Sequence, residues 1–322
     1  MSIVSSTNNH LPAVASTTPN WPHGYGLSGS ISNNPIQYHE KRNTQYITVK
    51  GVKHAYRLFG QSSGTPLFLH VHFRGNMDWW DPALINPLAA VRPILLVDST
   101  GVGLSEGEVP TRFADWATAI IDVAHALGIN KLDVLGFSMG GFVGQLMALQ
   151  APGLVQRLII AGSGPSAGEG VVPSDPKYIV EVAGGSTFDE HHAGLKHTFF
   201  TQSEKKQALA EQWVQRMANA RPNRAPLLRG QGMQNQIEAL QRFFSGDHRE
   251  EATYDRLDQI KVPVLVANGS KDVLVATENS ILLWKRLVNS DAQLHLYADS
   301  GHGFLNEYHG QFSRLVNEFL DA

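Results

Sequence analysis

From Tyr46 onward the chain alternates short β-branched runs with longer stretches in which apolar residues recur every three or four positions. The short runs predict strands at Tyr46–Lys50, His54–Phe59, Pro66–Val71, Ile94–Val97, Leu132–Leu135, Val155–Ala161, Val264–Ala267 and Gln293–Tyr297. Between them, Asp115–Leu127 sets Trp116, Ile120, Ala124 and Leu127 on one helical face, and Gly128 follows as a C-terminal cap. Alternation of this kind predicts an α/β fold: a mostly parallel central sheet with helices on both faces.

The rhythm breaks over residues 163–255, which open on a Gly/Pro-rich segment, contain no clear strand, and include a helix at Glu204–Ala220 with Ala210, Trp213, Val214 and Met217 as its apolar stripe. A helical insertion between sheet strands is how a lid, or cap, is built. The chain then returns through Val262–Asn268, a helix at Thr277–Val288, the strand Gln293–Tyr297 and a last helix near Gln311–Leu320. Residues 41–162 and 256–322 thus make the core, and residues 1–40, rich in Ser, Thr, Asn and Pro, read as a flexible N-terminal arm.

Composition narrows the function. Of 322 residues, 42% are hydrophobic and only 17% charged, against a usual charged share of about 25%, so a charge-solvated disordered chain is excluded. The formal charge of −3 offers no cationic field to a polyphosphate, so no nucleic acid partner is expected. No cysteine is present, which removes disulfides, thiolate nucleophiles and Cys-ligated metal from consideration. No apolar run reaches the roughly 18–20 residues that span a bilayer, and the N-terminus lacks the pattern of a secretory signal. The expected setting is cytoplasmic, without membrane association; the oligomeric state is not readable.

Gly-x-Ser-x-Gly occurs twice, around Ser105 and around Ser138. Ser105 is followed by Glu-Gly-Glu-Val-Pro, which starts no helix, and reads as part of a Gly-rich turn. Ser138 directly follows the apolar strand at Leu132–Leu135 and precedes a helical run from Gly140 to Gln150. A strand-to-helix turn this sharp strains the serine backbone, and glycines at 136 and 140 remove the Cβ clashes that would forbid it. The pattern therefore predicts a nucleophile elbow, with the Met139 N–H at a helix N-terminus serving as an oxyanion donor.

A serine hydroxyl needs an imidazole to accept its proton and a carboxylate to orient that imidazole. Among fourteen histidines, His302 lies between two glycines just past the strand Gln293–Tyr297, and Asp272 follows the strand Val264–Ala267. Both sit at strand C-terminal ends, the edge where open α/β sheets gather their catalytic groups. The predicted catalytic residues are Ser138, Asp272 and His302.

On these motifs the chain resembles the α/β-hydrolase fold serine hydrolase family over roughly residues 45–320, with Gly136-Phe137-Ser138-Met139-Gly140-Gly141 similar to its esterase and cofactor-free haloperoxidase branches. The order Ser138, Asp272, His302 is that family's order. The resemblance implies a second oxyanion donor after the third core strand, where Val71-His72 stands in place of the family's His-Gly and the donor becomes the N–H of Phe73. It implies a serine hydrolase that cleaves a carboxylic ester or lactone of a mostly apolar small molecule through an acyl-enzyme, with no cofactor and no metal. The same constellation also serves C–C bond hydrolases and perhydrolases, and a non-catalytic small-ligand-binding protein is the rival from another class.

Other residues enter as candidates. His72, Trp79, Trp213 and Phe304 are expected to contact substrate. Trp80, Phe199, Phe200, Met217, Phe243 and Phe244 join Trp79 and Trp213 as candidates for an apolar pocket, at least half of these aromatic and Met residues being simply core. His70 and His72, two apart at a strand end, could hold a metal with Asp78 or Asp81, but the pair lacks further ligands at fixed spacing. His191, His192 and His197 read as solvated histidines of the insertion, and Asp98 as a cap of the turn that follows it.

Overall fold

The computed structural model describes residues 38–249 and 251–322. The sheet has eight strands among these residues: β1 (Gln45–Val49), β2 (Val52–Gly60), β3 (Leu67–His70), β4 (Pro93–Val97), β5 (Leu132–Phe137), β6 (Val155–Ala161), β7 (Val264–Gly269) and β8 (Ala292–Tyr297). They run in the order β1-β2-β4-β3-β5-β6-β7-β8; β2 is antiparallel to both neighbours and every other pairing is parallel. Every residue of β3, β4, β5 and β7 is buried, as apolar strands covered on both faces must be. The edge strand β1 alternates between half-buried and exposed positions instead, and β8 does so until its end, where Tyr297 is buried.

Helices α1 (Tyr38–Lys41), α2 (Pro82–Ala89), α3 (Phe113–Ala126) and α4 (Met139–Gln150) pack the first half of the sheet. The expected arm of residues 1–40 falls outside the described residues as far as residue 37. Its last three residues open α1, where His39 is wholly buried, so residues 38–40 belong to the folded body and not to an arm. Gly128 takes φ 75° after α3, the left-handed stop its position predicts.

Between β6 and β7 the chain forms α5 (Pro176–Ala183), α6 (Phe188–Phe199), α7 (Glu204–Ala220) and α8 (Gly230–Ser245). In α7, Ala210, Trp213 and Met217 face inward as their spacing requires. The chain closes with α9 (Thr277–Arg286), α10 (Phe304–Glu307) and α11 (His309–Asp321). Two ion pairs bolt the insertion to the body: the half-buried Arg216 of α7 pairs with the buried Asp81 at 2.7 Å, and Lys206 pairs with Glu307 in the interior. Among the described residues no helix is long and apolar enough to cross a membrane.

Candidate active site

Ser138 is the residue between β5 and α4, and its backbone stands at φ 57°, ψ −120°. A non-glycine residue held there costs about 1–3 kcal/mol, so the surroundings must over-determine it. They do: the Ser138 N–H donates to the Ala161 carbonyl and the Gly141 N–H to the Ser138 carbonyl, each at 2.8 Å. A Cβ on Gly136 would stand 2.2 Å from the Gly140 carbonyl oxygen, and one on Gly140 would stand 2.1 Å from that of His70. Only glycine fits either place.

His302 follows β8 in a loop whose ring centroid lies 5.0 Å from that of Phe137 and 5.3 Å from that of Phe199 of α6. Its Nδ1 lies 2.7 Å from Oδ2 of Asp272, and neither side chain is more than 1% exposed. The other carboxylate oxygen of Asp272 accepts the N–H groups of Leu274 and Val275 at 2.8 and 2.9 Å. With one oxygen fixed by the backbone, the second is aimed at the imidazole; Nδ1 then carries the proton and Nε2 is left as the acceptor.

Ser138, Met139, His302, His72 and Phe73 line one cavity of about 560 Å³, roofed by Val171, Ile179, Val182, Leu195, Ile237 and Phe244 of the insertion. None of the residues lining it is Lys, Arg, Asp or Glu. The Met139 and Phe73 N–H groups have no acceptor among the described residues. The first lies at the N-terminus of α4, where amides are unpaired and the helix dipole favours negative charge.

His72 donates through Nδ1 to the Phe73 carbonyl at 2.9 Å. Burial, reinforced by the nearby His302 and His192, pushes its pKa down to about 4, so the ring is neutral at the cavity wall with Nε2 free to accept.

Three expected substrate contacts lie elsewhere. Trp79 is stacked on His192, ring centroids 4.8 Å apart, and lies edge-on to His191 at 5.0 Å, which consumes its faces before they reach the cavity. Trp213 is packed behind Phe199 and Phe200 at 5.8 and 5.7 Å. Phe304 turns away from His302 into the core, stacked on Tyr297 at 5.0 Å. All three are core residues, and of the four candidates only His72 lines the cavity.

Two of the insertion's three histidines differ from expectation. His191 and His192 are buried, not solvated, and burial lowers their pKa values to about 2 and about 4; His197 is exposed and bonded to Glu181. The four groups of the metal reading are engaged separately: His70 with Ser99 and the Val71 carbonyl, His72 with the Phe73 carbonyl, Asp78 with Arg57, and Asp81 with Arg216. Asp98 caps its turn by accepting the N–H groups of Met77 and Leu104, and Ser105 bonds to the Asp98 carbonyl.

Phe199 and Phe244, named among the pocket candidates, do line the cavity, and the aliphatic part of its roof was what the sequence reading missed. Ile237, Leu240 and Phe244, at spacings of three and four along α8, carried a usable signal.

Residues 65–307 match the model of the alpha/beta hydrolase fold family, and the chain belongs to that family. An alpha/beta hydrolase fold protein from Chitinophaga pinensis is 33% identical, covering 88% of this chain and 99% of its own with a TM-score of 0.78. A 2-hydroxymuconate semialdehyde hydrolase of Pseudomonas sp. strain CF600 is 27% identical over 82% of this chain and 89% of its own. A 2-hydroxy-6-oxononadienedioate/2-hydroxy-6-oxononatrienedioate hydrolase of Cupriavidus pinatubonensis is 26% identical over 87% and 96%. The protein is a hydrolase of this fold.

Proposed function

We propose that the protein hydrolyses a carboxylic ester or lactone of a mostly apolar, uncharged small molecule through an acyl-enzyme on Ser138. The observation that carries this is the strained Ser138 elbow opening, beside the Asp272-oriented His302, into an uncharged cavity. His302 Nε2 takes the Ser138 proton as Oγ attacks the carbonyl carbon, and the carbonyl oxygen gathers negative charge against the N–H groups of Met139 and Phe73. As the intermediate collapses, the proton passes from Nε2 to the leaving alkoxide. Water then enters, gives a proton to Nε2, adds to the acyl carbon and releases the acid as Ser138 is reprotonated. No hydrogen bond joins Ser138 to His302 before substrate arrives; such contacts are often long in unliganded hydrolases and tighten in the complex.

C–C bond hydrolysis is the second reading, favoured by the names of the relatives. A dienedioate substrate carries two carboxylates, however, and an ionised carboxylate buried without a partner costs several kcal/mol. With no cation on its walls, this cavity is better suited to a neutral ester.

The test is a panel of p-nitrophenyl esters, lactones and a 2-hydroxy-6-oxo-dienoate, run on the wild type and Ser138→Ala. Ester or lactone turnover that falls by on the order of 10⁶-fold in the variant supports the reading, as in serine hydrolases whose residues act as a unit. Turnover of the dienoate alone would overturn it in favour of C–C cleavage, and an inert wild type would favour a binding protein.

A further inference from the structure

His72, Phe73, Arg74 and Gly75 form a tight turn closed by the Gly75 N–H donating to the His72 carbonyl at 3.0 Å. Arg74, the third residue, stands at φ 63°, a place where turns customarily use glycine or asparagine. An arginine is strained there and needs a reason to stay.

The reason lies in the insertion. The Arg74 side chain is 1% exposed, and its guanidinium donates to the carbonyls of Ala183 (2.8 Å), Gly184 (2.5 Å), Gly185 (3.0 Å) and Leu228 (3.0 Å). Ala183 ends α5, so the cation satisfies carbonyls that have no intrahelical donor and sits at the negative end of the helix dipole. The Arg74 backbone N–H donates to Oε1 of Gln236 on α8 at 2.8 Å, and Gln236 is fully buried. One residue of a core turn therefore grips α5, the loop before α8, and α8 itself. The residue before it supplies the Phe73 amide to the cavity.

We propose that Arg74 is a positioning residue that couples the seating of the helical insertion to the oxyanion hole, holding the turn, and with it the Phe73 N–H, in its donating orientation. The inference rests on the acyl-enzyme reading above. Relaxation of the left-handed residue would rotate the Phe73–Arg74 peptide, breaking both the bond to Gln236 and the bond from His72 to the Phe73 carbonyl. The five-donor fork of arginine is what lets one side chain reach carbonyls from separate segments; lysine carries the charge but not the fork.

The test uses the full chain and the variants Arg74→Lys, Gln236→Leu and Ser138→Ala, with kcat and KM for p-nitrophenyl butyrate and the affinity of a trifluoromethyl ketone that forms a hemiketal oxyanion on a serine. Loss of one oxyanion donor typically costs about 10²–10³ in turnover, so Arg74→Lys, which displaces the donor, is expected to lower kcat by about 10–100-fold with KM nearly unchanged. The ketone should weaken by the same factor. Gln236→Leu, which leaves the guanidinium in place, should show the same pattern at about tenfold and reads the coupling if Arg74→Lys does not fold. Folded variants with unchanged kcat, or a loss confined to KM with unaltered ketone affinity, would overturn the coupling while Ser138→Ala remains inactive. Activity surviving in Ser138→Ala would remove the acyl-enzyme reading and the coupling with it.

Discussion

The Gly303 N–H donates to the Phe199 carbonyl at 2.8 Å, tying the loop that carries His302 to the last residue of α6. The approach is close enough that a Cβ on Gly303 would stand 2.6 Å from Cβ of Phe199. The base proposed for Ser138 is thus placed by a contact with the insertion as well as by Asp272. Gly303→Ala, whose backbone at φ −84° is ordinary for any residue, should separate these two elements. A displacement near 1 Å at a reacting group can cost about 10²-fold, so kcat should fall by about 10–100-fold while the far-ultraviolet circular dichroism stays native. Unchanged turnover would mean that Asp272 alone fixes the imidazole.

Substrate charge gives a second prediction. An ester bound as proposed would place its acyl end in a cavity lined by no Lys or Arg. Placing a carboxylate there costs several kcal/mol, and each 1.4 kcal/mol is about tenfold. The kcat/KM for the p-nitrophenyl half-ester of glutaric acid should therefore be at least about 100-fold below that for p-nitrophenyl butyrate. Equal values would contradict the uncharged-substrate reading.

The pH dependence of stability follows from buried histidines. Burial lowers the pKa values of His39, His70, His72, His191 and His192 from 6.5 to between about 2 and about 4. Below pH 6.5 the unfolded chain takes up protons that the folded chain refuses, so stability present above 6.5 is lost as the pH falls toward 4. Asp98 and Asp133, raised by burial to about 7 and about 6, act in the opposite sense by losing stability as the pH rises from 3.8. The five histidines outnumber the two carboxyls, and each fully titrating group contributes up to about 1.4 kcal/mol per pH unit. The urea midpoint should fall between pH 6.5 and pH 5, and less steeply in His192→Phe, which keeps a ring against Trp79. A midpoint that holds or rises over that interval would contradict this balance.

Why the sheet and its C-terminal edge were legible in the sequence, and the cavity was not, has a physical reason. Strands such as Leu132–Phe137 are apolar at almost every position because both faces are covered, and Ser138, Asp272 and His302 each stand beyond a strand end flanked by glycine or turn residues. The insertion lacks that punctuation. Its first two helices announce themselves only by caps: Asp175-Pro176 before α5, and the reciprocal Thr187–Glu190 capping box before α6. The substrate contacts were harder still. Trp79 and Trp213 are large, and size alone suggested a pocket, yet both pack against His192 beneath it. The walls fell to smaller residues such as Leu195 and Leu240, and periodicity tells which face of a helix is apolar but not whether that face meets a core or a cavity. His191 and His192 mislead for a related reason: adjacent histidines look solvated in sequence, whereas here aromatic rings bury both.

The acyl-enzyme proposal is tested most directly by treating the folded protein with a fluorophosphonate and mapping the adduct by peptide mass spectrometry. One equivalent should attach to the peptide containing Ser138, ester hydrolysis should vanish in step with labelling, and Ser138→Ala should take up none. Ester hydrolysis that persists in fully labelled protein, or an adduct on Ser105 or another residue, would contradict the account.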